Sequence, residues 1–287
     1  METSIHPKDF ETLRGFLHRE TGILLADSKQ QMVQARLQKR IRALSLSGYR
    51  EYLKYALANP AETVELINAM TTNKTDFFRE PHHFEFLAKN EFPRLIEEAR
   101  RLERPKRLRI WHAGCSTGEE PYSMAMVLAE SPLLESGWDV RQLASDIDTK
   151  VLAHCEAAIY DEERIAPISL ERRRKFLLRG KGEREGQYQV RREVRELVTF
   201  RQINLLDPTW PMNPNVRFDV IFCRNVIIYF DRPTQAILFD RFAAKLQPGG
   251  LLVIGHSENL HGLSNDFDPA GTTIYRLRPG HEEHQVA

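Results

Sequence analysis

Residues 108–122 read LRIWHAGCSTGEEPY, an apolar run that stops abruptly at glycine and small side chains. Leu108, Ile110 and Trp111 suit a buried strand, Gly114 to Gly118 a tight loop, and Glu119 to Glu130 a helix. Strand, glycine-bearing turn and helix form the first half of a βαβ unit, in which loop amides and the helix N-terminus face whatever sits above the strand edge. The spacing is neither GxGxxG nor the GxxxxGK of a triphosphate loop, so a dinucleotide or triphosphate cradle is poorly supported. Glu119 and Glu120, at the mouth of the helix, would repel a phosphate and could hold an ammonium or a ribose. The loop therefore suits a cationic, hydroxyl-bearing ligand, with a purely structural turn as the alternative.

A chain of 287 residues can bury a sizeable core and suits two modest domains. Its 41 Lys and Arg nearly cancel its 40 Asp and Glu, so binding to nucleic acid or an acidic surface would need a local patch. Cys115, Cys155 and Cys223 are odd in number and lack CxxC or CxxH spacing, so neither a disulfide framework nor a zinc site is expected. Without a signal-like N-terminus or a long apolar run, the chain reads as a soluble, cytoplasmic protein with no direct membrane insertion.

From Asp9 to Met70 the periodicity is helical. Phe10, Leu13, Phe16 and Leu17 mark one apolar face; Val33, Leu37, Ile41 and Leu44 mark another, with Asp27 or Ser28 as cap. Two short helices flank Asn59-Pro60. Arg36, Lys39, Arg40 and Arg42 crowd the second helix with no interleaved carboxylate, which reads either as a solvated face or as a docking surface for an acidic helix. The polar stretch from Thr71 to Pro81 carries Phe77-Phe78, so it is expected to pack on the next domain and to present Asn73, Thr75 and Arg79. Spacing alone also allows a capped helix start with Arg79 exposed. Phe84 to Ile96 continues as helix, and the charged run from Glu97 to Arg109 reads as solvated. His82-His83 has no third ligand at helical spacing and no cysteine nearby, so no metal site is expected.

Beyond the loop, Trp138 to Leu143 reads as a second strand. Asp146 at its end is placed to accept hydrogen bonds from ribose hydroxyls, while Asp148 caps the helix from Thr149 to Ala158. Residues 168–199 turn Arg-, Lys- and Glu-rich around Gly180, Gly182 and Gly186, and read as an insertion with a short helix and an antiparallel hairpin. Alternation resumes with strands at Val198 to Asn204, Phe218 to Phe222, Leu251 to Gly255 and Thr272 to Leu277. Phe218 to Phe222 is apolar at nearly every position, as in a mostly parallel sheet with helices on both sides. Gly114, Asp146, Asn204 and Arg224-Asn225 all fall at or just past strand C-termini, where open α/β sheets bind ligands.

The stretches TTNKTDFFRE (71–80), STGEEPYSMA (116–125), ASDIDTKVL (144–152), FCRNVIIYFD (222–231) and GHSEN (255–259) resemble, in order and separation, the chemotaxis receptor glutamate methyltransferases of the CheR family. The resemblance runs from about Phe10 to Leu277. It implies a helical N-terminal docking domain with linker (residues 1–80) and a class I, Rossmann-like methyltransferase domain (81–287) with a small antiparallel β-subdomain at about 168–199. It implies S-adenosylmethionine (SAM) as donor and S-adenosylhomocysteine as product. By motif position Asn73, Thr75, Arg79, Glu120, Asp146, Asn204, Leu205, Arg224 and Asn225 would contact SAM, with Arg79 and Tyr229 at the reacting centre. Arg36 and Arg42 would meet the methylated helices of a chemoreceptor, and the insertion resembles the form that docks a receptor's C-terminal pentapeptide. A monomer acting without nucleic acid is expected. Two other readings stay open: a methyltransferase acting on nucleic acid or a small molecule, and a non-catalytic SAM sensor. Arg224 to Tyr229 lacks a proline-aromatic base clamp, which disfavours the first, and Arg79 with Tyr229 disfavours the second.

Overall fold

A computed structural model of the chain describes residues 4–279. The outermost residues of the two expected domains, 1–3 and 280–287, lie outside it.

Four helices build the N-terminal layer: α1 (Pro7–Thr21), α2 (Gln30–Ala43), α3 (Tyr49–Ala58) and α4 (Pro60–Met70). Local chemistry sets their ends. Pro7 and Pro60 stand in the first helical turn, where the missing N–H costs nothing, and the Asn59 side chain accepts from the Ala61 N–H. Gly22 ends α1 at φ 72°, and a Cβ there would strike Phe230 and Leu206 at 2.7 and 2.9 Å, so the helix terminates flush against the second layer. The expected cap of α2 is corrected: Asp27 and Ser28 lie in a 3-10 turn that runs into the helix, and the Asp27 carboxylate pairs instead with Arg14. Phe10, Leu13, Leu17, Val33, Leu37, Ile41, Tyr52 and Leu66 fill the core of this layer.

Among the described residues the second layer is built on ten strands: β1 (Arg107–Ala113), β2 (Asp139–Asp146), β3 (Ile159–Asp161), β4 (Leu177–Arg179), β5 (Gln187–Val190), β6 (Val198–Gln202), β7 (Phe218–Cys223), β8 (Leu246–Ile254), β9 (Phe267–Gly271) and β10 (Ile274–Leu277). Seven form one sheet in the order β6-β2-β1-β7-β8-β10-β9. The first five run parallel, and β10 pairs antiparallel with β8 and with β9. Every residue of β7 is buried, as expected for a strand covered on both faces. One face packs Trp111, Phe239 and Phe242; the other packs Phe84, Leu95 and Met124. The strand order reverses direction at β1, between β2 and β7, which opens the crevice at the parallel strands' C-terminal ends.

The remaining strands form a small sheet in the order β3-β5-β4. It takes in Ile159–Asp161, upstream of the expected start near 168, and after Val190 the chain turns into a short helix, Arg192–Arg195, that buries Val194. The helix from His82 is interrupted by a π-turn over Leu87–Glu91 before continuing over Phe92–Arg100. The charged run that follows is not wholly solvated, since Arg104 donates to Asp219 at 2.6 Å. No helix among the described residues is long and apolar enough to cross a membrane.

Candidate active site

A cavity of about 300 Å³ lies between the sheet's C-terminal edge and the helical layer, a size suited to a small-molecule ligand. Asn73, Thr75, Arg79, Glu120, Asp146, Asn204, Leu205, Arg224, Asn225 and Tyr229 all line it. The fold thus brings together side chains drawn from four strand ends and the segment between the layers.

Its floor is held by hydrogen bonds made before any ligand arrives. Gly114 is at φ 92°, and a Cβ there would fall 2.3 Å from Val226 Cγ2, so only glycine lets the loop after β1 close on the loop after β7. The Ser116 N–H donates to Asp146 Oδ2 at 2.8 Å and the Asp148 N–H to Asp146 Oδ1 at 3.0 Å. Burial pushes the Asp146 carboxyl up, against the lowering effect of those N–H donors. Asp148 caps the helix Thr149–Ala157 as expected, and its second oxygen accepts from Thr71 Oγ1 (2.7 Å) and Asn73 Nδ2 (2.8 Å). That carboxylate therefore ties the linker to the sheet.

Glu120 and Arg224 form the opposite wall. Arg224 Nη1 donates to Glu120 Oε2 at 2.9 Å, and its Nη2 donates to the Arg79 carbonyl at 2.6 Å. His112, buried in β1, meets Glu120 Oε1 through Nδ1 at 2.8 Å and Gln142 Oε1 through Nε2 at 3.0 Å. Burial raises the Glu120 carboxyl, but the bond with His112 and the Arg224 charge outweigh it and hold the group below the usual carboxylate range. A depressed pKa means its stabilising contribution is present above the ordinary carboxylate pKa and is lost as pH falls through the lowered value. The pairing of Glu119 with Glu120 at the ligand is corrected. Glu119 is fully buried, bonds Thr117 and Arg164, and does not line the cavity. Adjacent helical residues point about a quarter-turn apart, so the two carboxylates serve different surroundings.

Asn225 sits at φ 59°, a left-handed conformation, and its N–H donates to Glu258 Oε2 at 2.9 Å. Glu258 also accepts from Gly255 N–H (2.7 Å) and Ile228 N–H (3.3 Å), fastening the tips of β7 and β8 together. Its position in GHSEN, just past a strand end, was the available sequence signal. Asn204 carries a second duty: its Nδ2 donates to the Glu20 carbonyl at 2.7 Å and joins α1 to the sheet.

The cover comes from Thr21, Ile23, Leu24, Met32, Arg36 and Met70, of which only Arg36 was singled out from sequence. Arg36 is not a free surface cation: its Nη1 donates to the carbonyls of Met70 (3.1 Å) and Thr71 (2.7 Å), closing the end of α4 beside the cavity. Arg40 is likewise engaged, by Glu62 and Glu65, carboxylates that come from α4 and not from α2 itself. Arg42 remains exposed, touching Gln38 at 3.4 Å. Arg79 lines the cavity, with Nη1 on the Lys74 carbonyl at 3.1 Å, while Phe77 is buried edge-on against Tyr160, 4.9 Å between centroids. His82-His83 finds no third group at helical spacing, but the fold supplies one from outside the helix. Glu80, in the turn before the helix, brings a carboxylate oxygen within 4.8 Å of a nitrogen from each ring. Burial, with Arg224 and His82 nearby, pushes His83 down to about 3.

Residues 8–71 match the family model for the all-alpha domain of CheR methyltransferase, and residues 73–276 match that for its SAM binding domain. The chain is 45% identical over 269 residues to chemotaxis protein methyltransferase 2 of Pseudomonas aeruginosa, covering 93% of this chain and 92% of that one. It is 43% identical over 271 residues to the chemotaxis protein methyltransferase of Salmonella typhimurium (93% and 89% covered). Identity to that of Escherichia coli is 42% over 271 residues (93% and 90%).

Proposed function

The chain belongs to the CheR methyltransferase family, and on that premise we propose that the cavity is where SAM and a receptor glutamate meet. The protein is a SAM-dependent methyltransferase of chemotaxis. The observation that carries the site assignment is the convergence of Asp146, Glu120, Asn225 and Arg79 on one cavity from distant parts of the chain.

The donor set fits a sulfonium nucleoside. Asp146 and Glu120 offer carboxylate acceptors for hydroxyl or amino groups, and Leu205, Ile147 and Ile203 supply apolar wall. Asn73, Thr75, Asn204, Leu205, Arg224 and Asn225 complete the set proposed to hold SAM. When bound, SAM supplies an electrophilic methyl group. A glutamate side chain, with an ordinary pKa of about 4.3, is an anion at neutral pH and needs no general base. What remains is placement. Arg79 can orient the incoming carboxylate through its fork, and Tyr229 can fix its angle by a hydrogen bond.

Arg36, at the cavity wall, and Arg42, on the outer face of α2, are the proposed contacts for the methylation helices of a chemoreceptor. The β3-β5-β4 sheet is the proposed seat of a receptor C-terminal pentapeptide, and the working unit is a monomer. The test is incubation with radiolabelled SAM and receptor cytoplasmic fragments, with and without the pentapeptide. Base-labile label on glutamate is the expected result. Label on RNA or DNA, or none on the receptor, overturns the reading.

A further inference from the structure

We propose that Glu80, His82 and His83 form a binding site for one divalent transition-metal ion of the zinc class, outside the SAM cavity. One oxygen of Glu80 and one ring nitrogen from each histidine lie within 4.8 Å of one another, and His83 Nδ1 is 3.6 Å from Glu80 Oε2. Ligands at 2.0–2.1 Å from a tetrahedral zinc stand about 3.3 Å apart, so small side-chain rotations close the site. Two imidazoles and a carboxylate are a donor set that such ions favour.

Three polar atoms of these same residues, Glu80 Oε2, His82 Nε2 and His83 Nδ1, are buried and have no hydrogen-bond partner among the described residues. Buried polar atoms in that condition call for an occupant. The tautomer sharpens the point. With the Thr273 hydroxyl turned to the Thr272 carbonyl (2.7 Å), Thr273 Oγ1 accepts from His83 Nε2–H at 2.7 Å; turned to the ring, it donates to Nε2 and the ring proton sits on Nδ1. In the first arrangement a neutral ring has His83 Nδ1 as a lone pair facing a carboxylate, which a cation resolves. The backbone agrees: Glu80 is held at φ 54°, a left-handed conformation that a side chain with a Cβ avoids unless its surroundings enforce it. The nearby cation does not forbid the site, because Arg224, 3.4 Å from Glu80 Oε2, is already engaged by Glu120 at 2.9 Å. Glu80 Oε1 is bound to His256 Nδ1 at 2.8 Å, so a carboxylate with a second partner orients the metal-facing oxygen. His82 is half-buried, which leaves a way in from solvent.

The test is a titration of the metal-stripped full chain with Co²⁺, followed by its visible absorption, then displacement by Zn²⁺. One saturating equivalent with tetrahedral bands is expected. Because the chain has ten histidines, the assignment rests on the difference between wild type and His82→Ala. That variant should bind more weakly by more than the ~10–100-fold typical of losing an outer-shell partner, and Glu80→Gln should behave alike. Zn²⁺ should raise the melting temperature of wild type and not of His82→Ala. No saturable uptake by wild type, or equal affinity in wild type and both variants, overturns the proposal. The readout is metal uptake and is independent of methyl transfer.

Discussion

The floor and the cover of the cavity are made differently. On the floor, Asp146, Glu120, Arg224 and Asn225 are each fixed by protein hydrogen bonds, and Glu258 alone accepts three backbone N–H groups. The cover presents Ile23, Leu24 and Met32 beside two cations, Lys29 and Arg36, and is tied to the sheet layer by polar contacts that include Leu24 N–H to the Tyr229 carbonyl, Asn204 to the Glu20 carbonyl and Asn68 with Thr149. A pre-set polar floor costs no reorganisation when a ligand docks, whereas the more apolar side chains of the cover make fewer directional demands on what enters beside it. On the proposed reading the floor holds the cofactor and the cover admits the substrate.

The largest effect should follow from unpinning the floor. Glu258→Ala leaves three backbone donors without their acceptor, of which the Gly255 N–H is buried and costs about 1–3 kcal/mol, so chemical denaturation should show a loss of at least that order and S-adenosylhomocysteine binding should fail. A variant as stable as wild type would mean that the strand tips hold themselves. Arg79→Ala comes next. Because misplacement of reacting groups costs on the order of 10²-fold, kcat should drop by about that while S-adenosylhomocysteine affinity changes only a few-fold. An equal loss in both would make Arg79 part of the floor.

A smaller effect concerns pH. The Asp146 carboxyl is raised by burial in the free protein, so below that pKa it is protonated at no cost to the fold, and the stabilisation fades as pH rises through it. Ligand hydroxyls favour the ionised form, so affinity for S-adenosylhomocysteine should weaken as pH falls from neutral toward the ordinary carboxylate range. Calorimetry of Asp146→Asn, with a flatter profile, checks the assignment; an unchanged slope refutes it. The smallest effect lies outside the cover. Arg42→Ala should raise KM for receptor fragments a few-fold, less so at high salt, since exposed charges are worth about 0.2–1 kcal/mol.

The same division decides what could be read from sequence. Floor residues sit at strand ends, and the period-2 and buried-strand patterns at Leu108–Ala113 and Phe218–Cys223 locate those ends directly. Even there, the pattern could not separate Glu119, buried beside Arg164, from Glu120, which faces the cavity, since both follow Gly118 at a helix start. The cover depends on how α1 and α2 seat on the sheet, and nothing in the helical period says that Arg36 reaches back to the end of α4 or that Arg40 finds Glu62. Glu80 joins the two histidines through a left-handed turn, a conformation that no local spacing announces.

The most direct test of the floor is calorimetric titration of the full chain with S-adenosylhomocysteine. One molecule should bind per chain. A charge-assisted hydrogen bond is worth about 1.5–3 kcal/mol, so Asp146→Ala should weaken binding by at least about tenfold while Arg42→Ala leaves it unchanged. Absence of saturable heat in wild type, or equal affinity in Asp146→Ala and wild type, would contradict the account.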